Sequence, residues 1–334
     1  MFWEGKIMRN LSRILKFAAA SLAVFSLALA VSPQAARAEY PEKPVKLLVG
    51  FSAGGGTDVY ARALSSFIYD ALGMPFVVVN KPGASGMIAA KTVKQAPPDG
   101  YTLYVISAAS FATRELIDGD KAPIKALEDF QPLGVIGQLV SALIVPKDSR
   151  FKNAGELVAF ARANPGKLRW SNPGKTSSHT IAGMGFLQSN NISATLVPFK
   201  GGSKARNAVA GKQVDFGFMG VQLMAGFESK LKALGVASRE RDGVYRDVPT
   251  FGEQSLAELD LAAPMIIWGR RDLPADVVAK LTAAIKAAAT QKGYAKLIKK
   301  TGAVGYYKPP EEGVAIVKRL QANMQPIVAA NFSK

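Results

Sequence analysis

The sequence predicts an α/β fold of two lobes, each a mostly parallel sheet flanked by helices, with the chain crossing twice between them. Three observations carry this. Short apolar runs alternate with amphipathic segments from residue 45 onward, the rhythm of strands and crossover helices. Several of those runs end in loops of glycine and small hydroxyl residues. The strand–loop–helix pattern occurs once before residue 140 and again after it, with no repetition at the level of residues.

The first occurrence, residues 45–86, organises the chain. An apolar run (45–51) leads into Ala53-Gly54-Gly55-Gly56, and Thr57 and Asp58 open an amphipathic segment. A second apolar run (76–79) leads into Gly83-Ala84-Ser85-Gly86. Glycine has no Cβ, so backbone can approach a ligand closely. The first turn of a helix presents unpaired N–H groups and partial positive charge. Two such turns side by side make a cradle for an anion from backbone alone, the expected half of a carboxylate-binding cleft.

The remaining elements follow in order. A helix over 58–72 stops at Gly73, with Ala61, Leu64 and Ile68 toward the sheet. A short helix (87–94), a turn at Pro97-Pro98-Asp99-Gly100 and a strand (101–106) come next, the strand ending in Ser107-Ala108-Ala109-Ser110. A different segment starts near Val140 with a strand over 142–146. Asn153 and Glu156 open a helix in the manner of a capping box, closed at Asn164-Pro165-Gly166. A strand (168–170), the loop 171–179, a helix (181–188), a strand (195–199), the loop Lys200-Gly201-Gly202-Ser203, a helix up to Gly211 and a strand (214–218) repeat the opening architecture. A strand (231–237), a polar loop (239–249) and an apolar stretch (265–268) return the chain. Pro274 is placed at N1 of a helix with Val277, Leu281 and Ile285 on one face. Gly302 ends a further helix, and Val314, Val317, Leu320, Met324 and Ile327 mark the last. Crossings near 141 and 262 divide the chain into a first lobe, 39–141 with 262–334, and a second, 142–261, an arrangement suited to a hinge.

Residues 1–38 read as a secretory signal peptide, with an uncleaved membrane anchor as the alternative. Arg9, Arg13 and Lys16 precede an apolar stretch of 15 residues (17–31), shorter than the roughly 20 that span a bilayer. Ala36-Arg37-Ala38 has the small-x-small form of a cleavage site, so the mature chain is expected to be exported and cut near Ala38. The chain has no cysteine and one histidine, which removes disulfide and thiol chemistry and any His-based metal set. Of 42 Lys+Arg and 25 Asp+Glu, five and one lie in the leader, leaving a surplus of 13 positive charges to steer anions toward a cleft. The basic residues are scattered, without interleaved aromatics, which argues against nucleic acid.

Ligands of an open α/β sheet sit at the carboxyl ends of its strands, where residues 52–58 and 83–86 face 171–179 and 200–203 if the lobes oppose. Such a lining offers backbone N–H, small hydroxyls and few charges, as reversible carboxylate capture needs. Asp58 reads chiefly as structural: it complements the helix dipole, ties down loop amides and pairs with Arg62. Lys175 and Lys200 each keep two readings, a ligand partner or a solvated lysine. His179 reads as a hydrogen-bonded residue in the interdomain region rather than a catalyst, there being no evident triad partner. No GxSxG elbow, GxGxxG fingerprint or P-loop is present.

Tyr40-Pro41, Pro44-Val45, Phe51, Ala53-Gly54-Gly55, Asp58, Ala61-Arg62, then Val79-Asn80-Lys81-Pro82-Gly83-Ala84 with Gly86, and Pro98-Asp99-Gly100-Tyr101-Thr102-Leu103 form one ordered series. It resembles the Bug/TctC extracytoplasmic solute receptors of tripartite tricarboxylate transporters. Phe199-Lys200-Gly201-Gly202, Gly211-Lys212-Gln213-Val214-Asp215 and Val248-Pro249-Thr250 with Glu253 extend the resemblance over 40–334. It implies a periplasmic binding protein of type II-like, Venus-flytrap form. Such a protein works as a monomer without cofactor or metal, closes on a small organic mono- or dicarboxylate and hands it to membrane permease subunits. The implied first-lobe contacts are Phe51, Ser52, Ala53, Gly54, Gly55, Asp58, Gly83, Ala84 and Gly86, partly through water, with Ser107 at the same sheet edge. From the second lobe the family pattern S-x-G-x-G-[ST]-x-x-H implies Ser171, Thr176 and His179, with Lys175, Ser177, Lys200, Gly201 and Gly202 on the same loops. Pro173 and Lys175 stand where that pattern has glycines, which suits a ligand whose second anionic group reaches Lys175. Trp268-Gly269-Arg270-Arg271 is more basic than the family's apolar continuation. Two other readings stay open: an exported hydrolase-like enzyme on the same scaffold, and a ligand-sensing module for a signalling partner.

Overall fold

The computed structural model describes residues 39–332; the signal peptide assigned to 1–38 lies outside the described residues. Ten strands make two sheets. The first contains β1 (Val45–Val49), β2 (Phe76–Asn80), β3 (Thr102–Ser107), β4 (Phe130–Leu139) and β10 (Ala263–Arg270), in the order β2-β1-β3-β10-β4. The second contains β5 (Ser141–Pro146), β6 (Arg169–Asn172), β7 (Thr195–Pro198), β8 (Phe216–Gly220) and β9 (Leu231–Val236), in the order β7-β6-β8-β5-β9. The two orders are equivalent, which is the repeated pattern of the sequence realised in space.

Each sheet is mixed. β1 pairs parallel with β2 and β3, and β6 pairs parallel with β7 and β8. β10 runs antiparallel to both its neighbours, and so does β5. Four strands of each sheet therefore share one direction and one opposes them. The reversed strand is in both cases the one entered after a crossing. β4 ends at the edge facing the other sheet, so β5 starts there and runs outward; β10 does the same after β9. Val140 alone joins β4 to β5. The return segment lies beside it: Ala237 donates its N–H to the Ser141 carbonyl (2.8 Å), and Leu261 to the Ala237 carbonyl (3.3 Å).

Helices cover the sheets: α1 (Gly56–Leu72), α2 (Met87–Lys94), α3 (Ala108–Asp118), α4 (Ala154–Ala163), α5 (Ser178–Ser189), α6 (Gly202–Ala210), α7 (Ala275–Ala289), α8 (Lys292–Lys300) and α9 (Pro310–Phe332). Ala61, Leu64 and Ile68 of α1 are buried, and Gly73 takes φ +77° to close the helix, its N–H on the Tyr69 carbonyl. Val277, Leu281 and Ile285 of α7 are likewise buried. Asn153 caps α4 by accepting from Glu156 N (2.8 Å), while the Glu156 carboxylate reaches one residue further back, to Lys152 N. Each sheet has its own aromatic core: Phe111 meets Tyr104, Phe130 and Trp268 edge-on in the first, and Trp170, Phe186, Phe216, Phe218 and Phe251 pack together in the second. α9 rests on both α3 and α5. Asn331 bonds Gln188 of α5, and the Thr113 hydroxyl of α3 meets the Met324 sulfur.

Four local features differ from expectation. β4 is a ten-residue strand that the sequence reading passed over, because Pro132, Gly134 and Gly137 break its apolar run. Gly137 takes φ +146°, with no room for a side chain between Tyr60 and the Val304 carbonyl. α3 also went unread; its small-residue start resembles a loop. Pro274 is the N-cap, with extended ψ of 141°, rather than N1. The buried stripe of α9 runs through Gly313, Ile316, Val317, Leu320, Met324 and Val328, leaving Val314 and Ile327 half-buried at its margins.

Candidate functional site

The carboxyl ends of β1, β2, β3, β6 and β7 meet in one cleft between the sheets. Gly54 makes the turn after β1 with φ +71°, and its N–H donates to the Asp58 carboxylate at 2.8 Å. The same carboxylate accepts from Arg62 Nε (2.9 Å) and Asn80 Nδ2 (2.8 Å). Asp58 is thus buried as the keystone of the glycine turn, the structural role its position at the start of α1 indicates. Gly55 is the N-cap of α1 and supplies no side-chain acceptor, so the first-turn amides carry no side-chain cap.

The turn after β2 is more strained. Gly83, Ala84, Ser85 and Gly86 all have positive φ (140°, 47°, 53° and 101°). An L-residue in that region costs roughly 1–2 kcal/mol, and such strain persists only where the surroundings enforce it. Here it aims Ser85 across the cleft: its Oγ accepts from Thr176 N (3.1 Å) of the second sheet's loop. Gly50 is the point where the two turns touch, and a Cβ there would lie 2.4 Å from Gly86 Cα. The Gly86 carbonyl accepts from the Tyr104 hydroxyl at 2.9 Å.

From the second sheet, Asn172 Oδ1 accepts from Gly174 N (2.9 Å), and Ser177 caps α5 by accepting from Thr180 N (3.3 Å). Gly201, at φ +143°, caps α6 and leaves its Cβ position against Ser52. Among the described residues, the hydrogen bonds between the facing loops are made by backbone and serine: Ser52 N to Lys200 O (3.3 Å), Ser203 Oγ to Ala53 O (3.1 Å), Ser52 Oγ with Ser203 Oγ (3.2 Å), Ser178 N to Ser110 Oγ (3.1 Å) and Thr176 N to Ser85 Oγ. Ser107 caps α3 by accepting from Ser110 N, its hydroxyl donates a hydrogen bond to Ser110 Oγ, and the Ser110 hydroxyl donates in turn to Ser178 Oγ.

Two hollows remain. One, of about 20 Å³, is enclosed by Phe51, Gly55, Gly56, Thr57, Ser107, Ser110, Leu139, Pro173, Ser177, Ser178, His179, Gly202 and Leu223. That is room for little more than one water molecule. A wider recess of about 250 Å³ lies beyond it, lined by Phe51, Gly83, Ala84, Lys175 and Lys200 with Gly50, Ser85, Pro173, Gly174, Pro198 and Phe199. Phe51 and Pro173 line both and stand between them. The inner hollow is too small for any organic acid, so a guest that is to reach the start of α1 requires the sheets to part.

Of the residues singled out from sequence, Phe51, Gly55, Ser107, Ser177, His179 and Gly202 line the inner hollow, and Gly83, Ala84, Lys175 and Lys200 the outer one. Ser52, Ala53, Thr176 and Gly201 form the seam between the sheets. Gly54 and Asp58 shape the first turn, and Gly86 lies beneath the second. Ser171 turns away, its Oγ on the Ala205 carbonyl (3.1 Å) in the second core. Gly56, Thr57 and Ser178 lie on the loops 52–58 and 171–179 expected to line the cleft, though they were not singled out there; Ser110, Leu139 and Leu223 were not anticipated, and of these only Ser110 had a signal, in the small-residue run after the third strand. Arg270, in the unusually basic stretch after Trp268, is structural: it pairs with Asp272 and donates to the Lys94 and Ala96 carbonyls.

His179 is the one titratable side chain on the inner hollow, and it is nearly inaccessible. Its Nδ1 lies 2.6 Å from the Ser141 hydroxyl at the crossing, and burial pushes its pKa down to about 4. The folded protein therefore keeps His179 neutral where an unfolded chain, near 6.5, takes a proton. Stability from this residue is complete above pH 6.5 and falls as pH drops toward 4, by about 3 kcal/mol over the interval. Urea midpoints across pH 4–7 should show that loss, and His179→Gln should flatten it.

Residues 60–330 match the model of the TctC family, described as the tripartite tricarboxylate transporter family receptor. A relative from Pseudomonas sp., the UPF0065 protein in the tcbD-tcbE intergenic region, is 30% identical over 283 residues, 83% of this chain and 84% of that protein. The structure of the periplasmic binding protein BugD superimposes with a TM-score of 0.81 at 28% identity, covering 87% of this chain and 98% of BugD. MatC of Rhodopseudomonas palustris, solved with bound malate, gives 0.79 at 28% identity, covering 86% and 100%. The chain spans most of each of these proteins, and with the family model matched over both sheets it belongs to the TctC family of tripartite tricarboxylate transporter receptors.

Proposed function

We propose that this protein is a periplasmic receptor that closes its two lobes, 39–141 with 262–334 and 142–261, on a small organic carboxylate and delivers it to the membrane permease of a tripartite transporter. The observation that carries the reading is the convergence of two glycine turns, one at the uncapped start of α1, on a cleft whose described facing loops meet through backbone groups and serine hydroxyls. Such a seam opens at low cost, and its donors are free to turn to a guest anion once it does. MatC, with bound malate, places an organic acid in a protein of this fold. Lys175 and Lys200 at the outer recess favour a ligand with a second acidic group; neither forms an ion pair with a described carboxylate. The family is one of receptors rather than enzymes, and His179, held by Ser141, has no acidic partner to make it a base. Export with cleavage near Ala38 and action as a monomer complete the proposal.

Ligand binding to the folded state alone stabilises it by about 2.7 kcal/mol at a hundredfold excess over Kd. Protein refolded free of ligand should therefore melt several degrees higher with at least one of pyruvate, succinate, malate, adipate or citrate. Unchanged melting across all of them, with native mass spectrometry showing no co-purified anion, would sink the proposal.

A further inference from the structure

We propose that Gln222 is the second-lobe donor that reads the carboxylate at the start of α1. This rests on the receptor function proposed above. Gln222 lies just after β8, in the 3-10 turn Val221–Met224, and is 4% exposed. Its Nε2 has no hydrogen-bond partner among the described residues. That nitrogen occupies the place of the side chain Gly56 lacks: a Cβ on Gly56 would lie 2.2 Å from it and 3.0 Å from the Leu139 methyl. Gly56, Leu139 and the adjoining Leu223 all line the inner hollow. An N–H donor is therefore held, buried and unpaired, against the first residue of a 17-residue helix whose own first-turn amides carry no side-chain cap.

Leaving a buried donor unpaired costs free energy, and proteins rarely retain one without use. On the α1 side the first-turn amides are donors and the Leu139 methyl is apolar, and Nε2 bonds no acceptor among the described residues. The missing complement is an acceptor, and an anionic oxygen serves the helix start and the amide together. Gly56 is then glycine for two reasons: the helix start must meet the guest, and the Gln222 amide must reach over it. Because Gln222 is carried by the second sheet and Gly56 by the first, the amide completes the oxygen's coordination only when the cleft is shut. The inferred ligand group is a carboxylate accepting from both lobes at one oxygen pair.

The test measures Kd by calorimetry for whichever of the five acids above binds wild type best, beside Gln222→Met and Gln222→Glu. Methionine keeps length and loses the donor; glutamate adds repulsion. We expect losses of roughly 10–100-fold for Gln222→Met and larger for Gln222→Glu. Ligand-free Gln222→Met should melt no lower than wild type, since Nε2 bonds nothing in the protein; a merely structural glutamine would lower it. Wild-type affinity in both variants overturns this inference and leaves the receptor function standing. A clear fall in the melting of ligand-free Gln222→Met also overturns it. Absence of binding by wild type to every acid overturns both.

Discussion

Gly201→Ala is expected to weaken ligand affinity by roughly 10–100-fold while both lobes stay folded. The methyl would sit 2.9 Å from Ser52 N and 2.2 Å from Ser52 Oγ, across the seam. Overpacking of this kind costs about 1–3 kcal/mol, and the cost falls on the shut form alone, because parting the sheets relieves it. A penalty confined to the binding-competent state appears directly in the apparent Kd. The φ of +143° adds strain present in both forms, which lowers ligand-free melting a little without changing the ratio between them. Small-angle scattering should report a larger radius of gyration for the variant, and Ser52→Gly in the same chain should restore part of the affinity by removing the hydroxyl. Full wild-type affinity in Gly201→Ala would show that ligand binding does not draw these two loops together.

Gly50→Ala acts on folding instead. The added Cβ would lie 2.4 Å from Gly86 Cα and 2.9 Å from the Gly86 carbonyl oxygen. Backbone cannot swing aside as a side chain can. Either β1 or the 83–86 turn must move, and the turn is already held in an uncommon conformation with Tyr104 bonded to its last carbonyl. A loss of about 3 kcal/mol is expected, or roughly 6–12 °C in Tm at 2–4 °C per kcal/mol for a chain of this size. Differential scanning calorimetry of the ligand-free variant reads it. Gly54→Ala is the contrast: its Cβ would meet nothing within 4 Å, so only the φ of +71° opposes it.

Much of this was legible in the residues. The glycine turns after β1 and β2, the Asp58–Arg62 pair, the Gly73 stop and the doubled strand–loop–helix pattern are local signals, and local signals survive into the fold. β4 escaped because its glycines and proline serve tertiary neighbours: Gly137 makes way for Tyr60, a residue 77 positions earlier, and no window of sequence holds both. The site was legible by loop but not by atom. Sequence brought the small-residue loops of both halves to one place, yet gave no means to separate Ser171, which faces the second core, from Ser177, which faces the hollow. Gln222 was invisible for the same reason. Nothing in its neighbours distinguishes it, and its meaning comes from Gly56, which a different sheet carries.

The single residue Val140 between β4 and β5 carries a mechanical consequence. One residue supplies two soft torsions, and the return strand is bonded alongside it through Ala237 and Ser141. Two plates pinned so tightly can swing like shutters but cannot slide or slip in register. The short connection thus favours one alignment of the serine hydroxyls and backbone groups that face each other across the cleft.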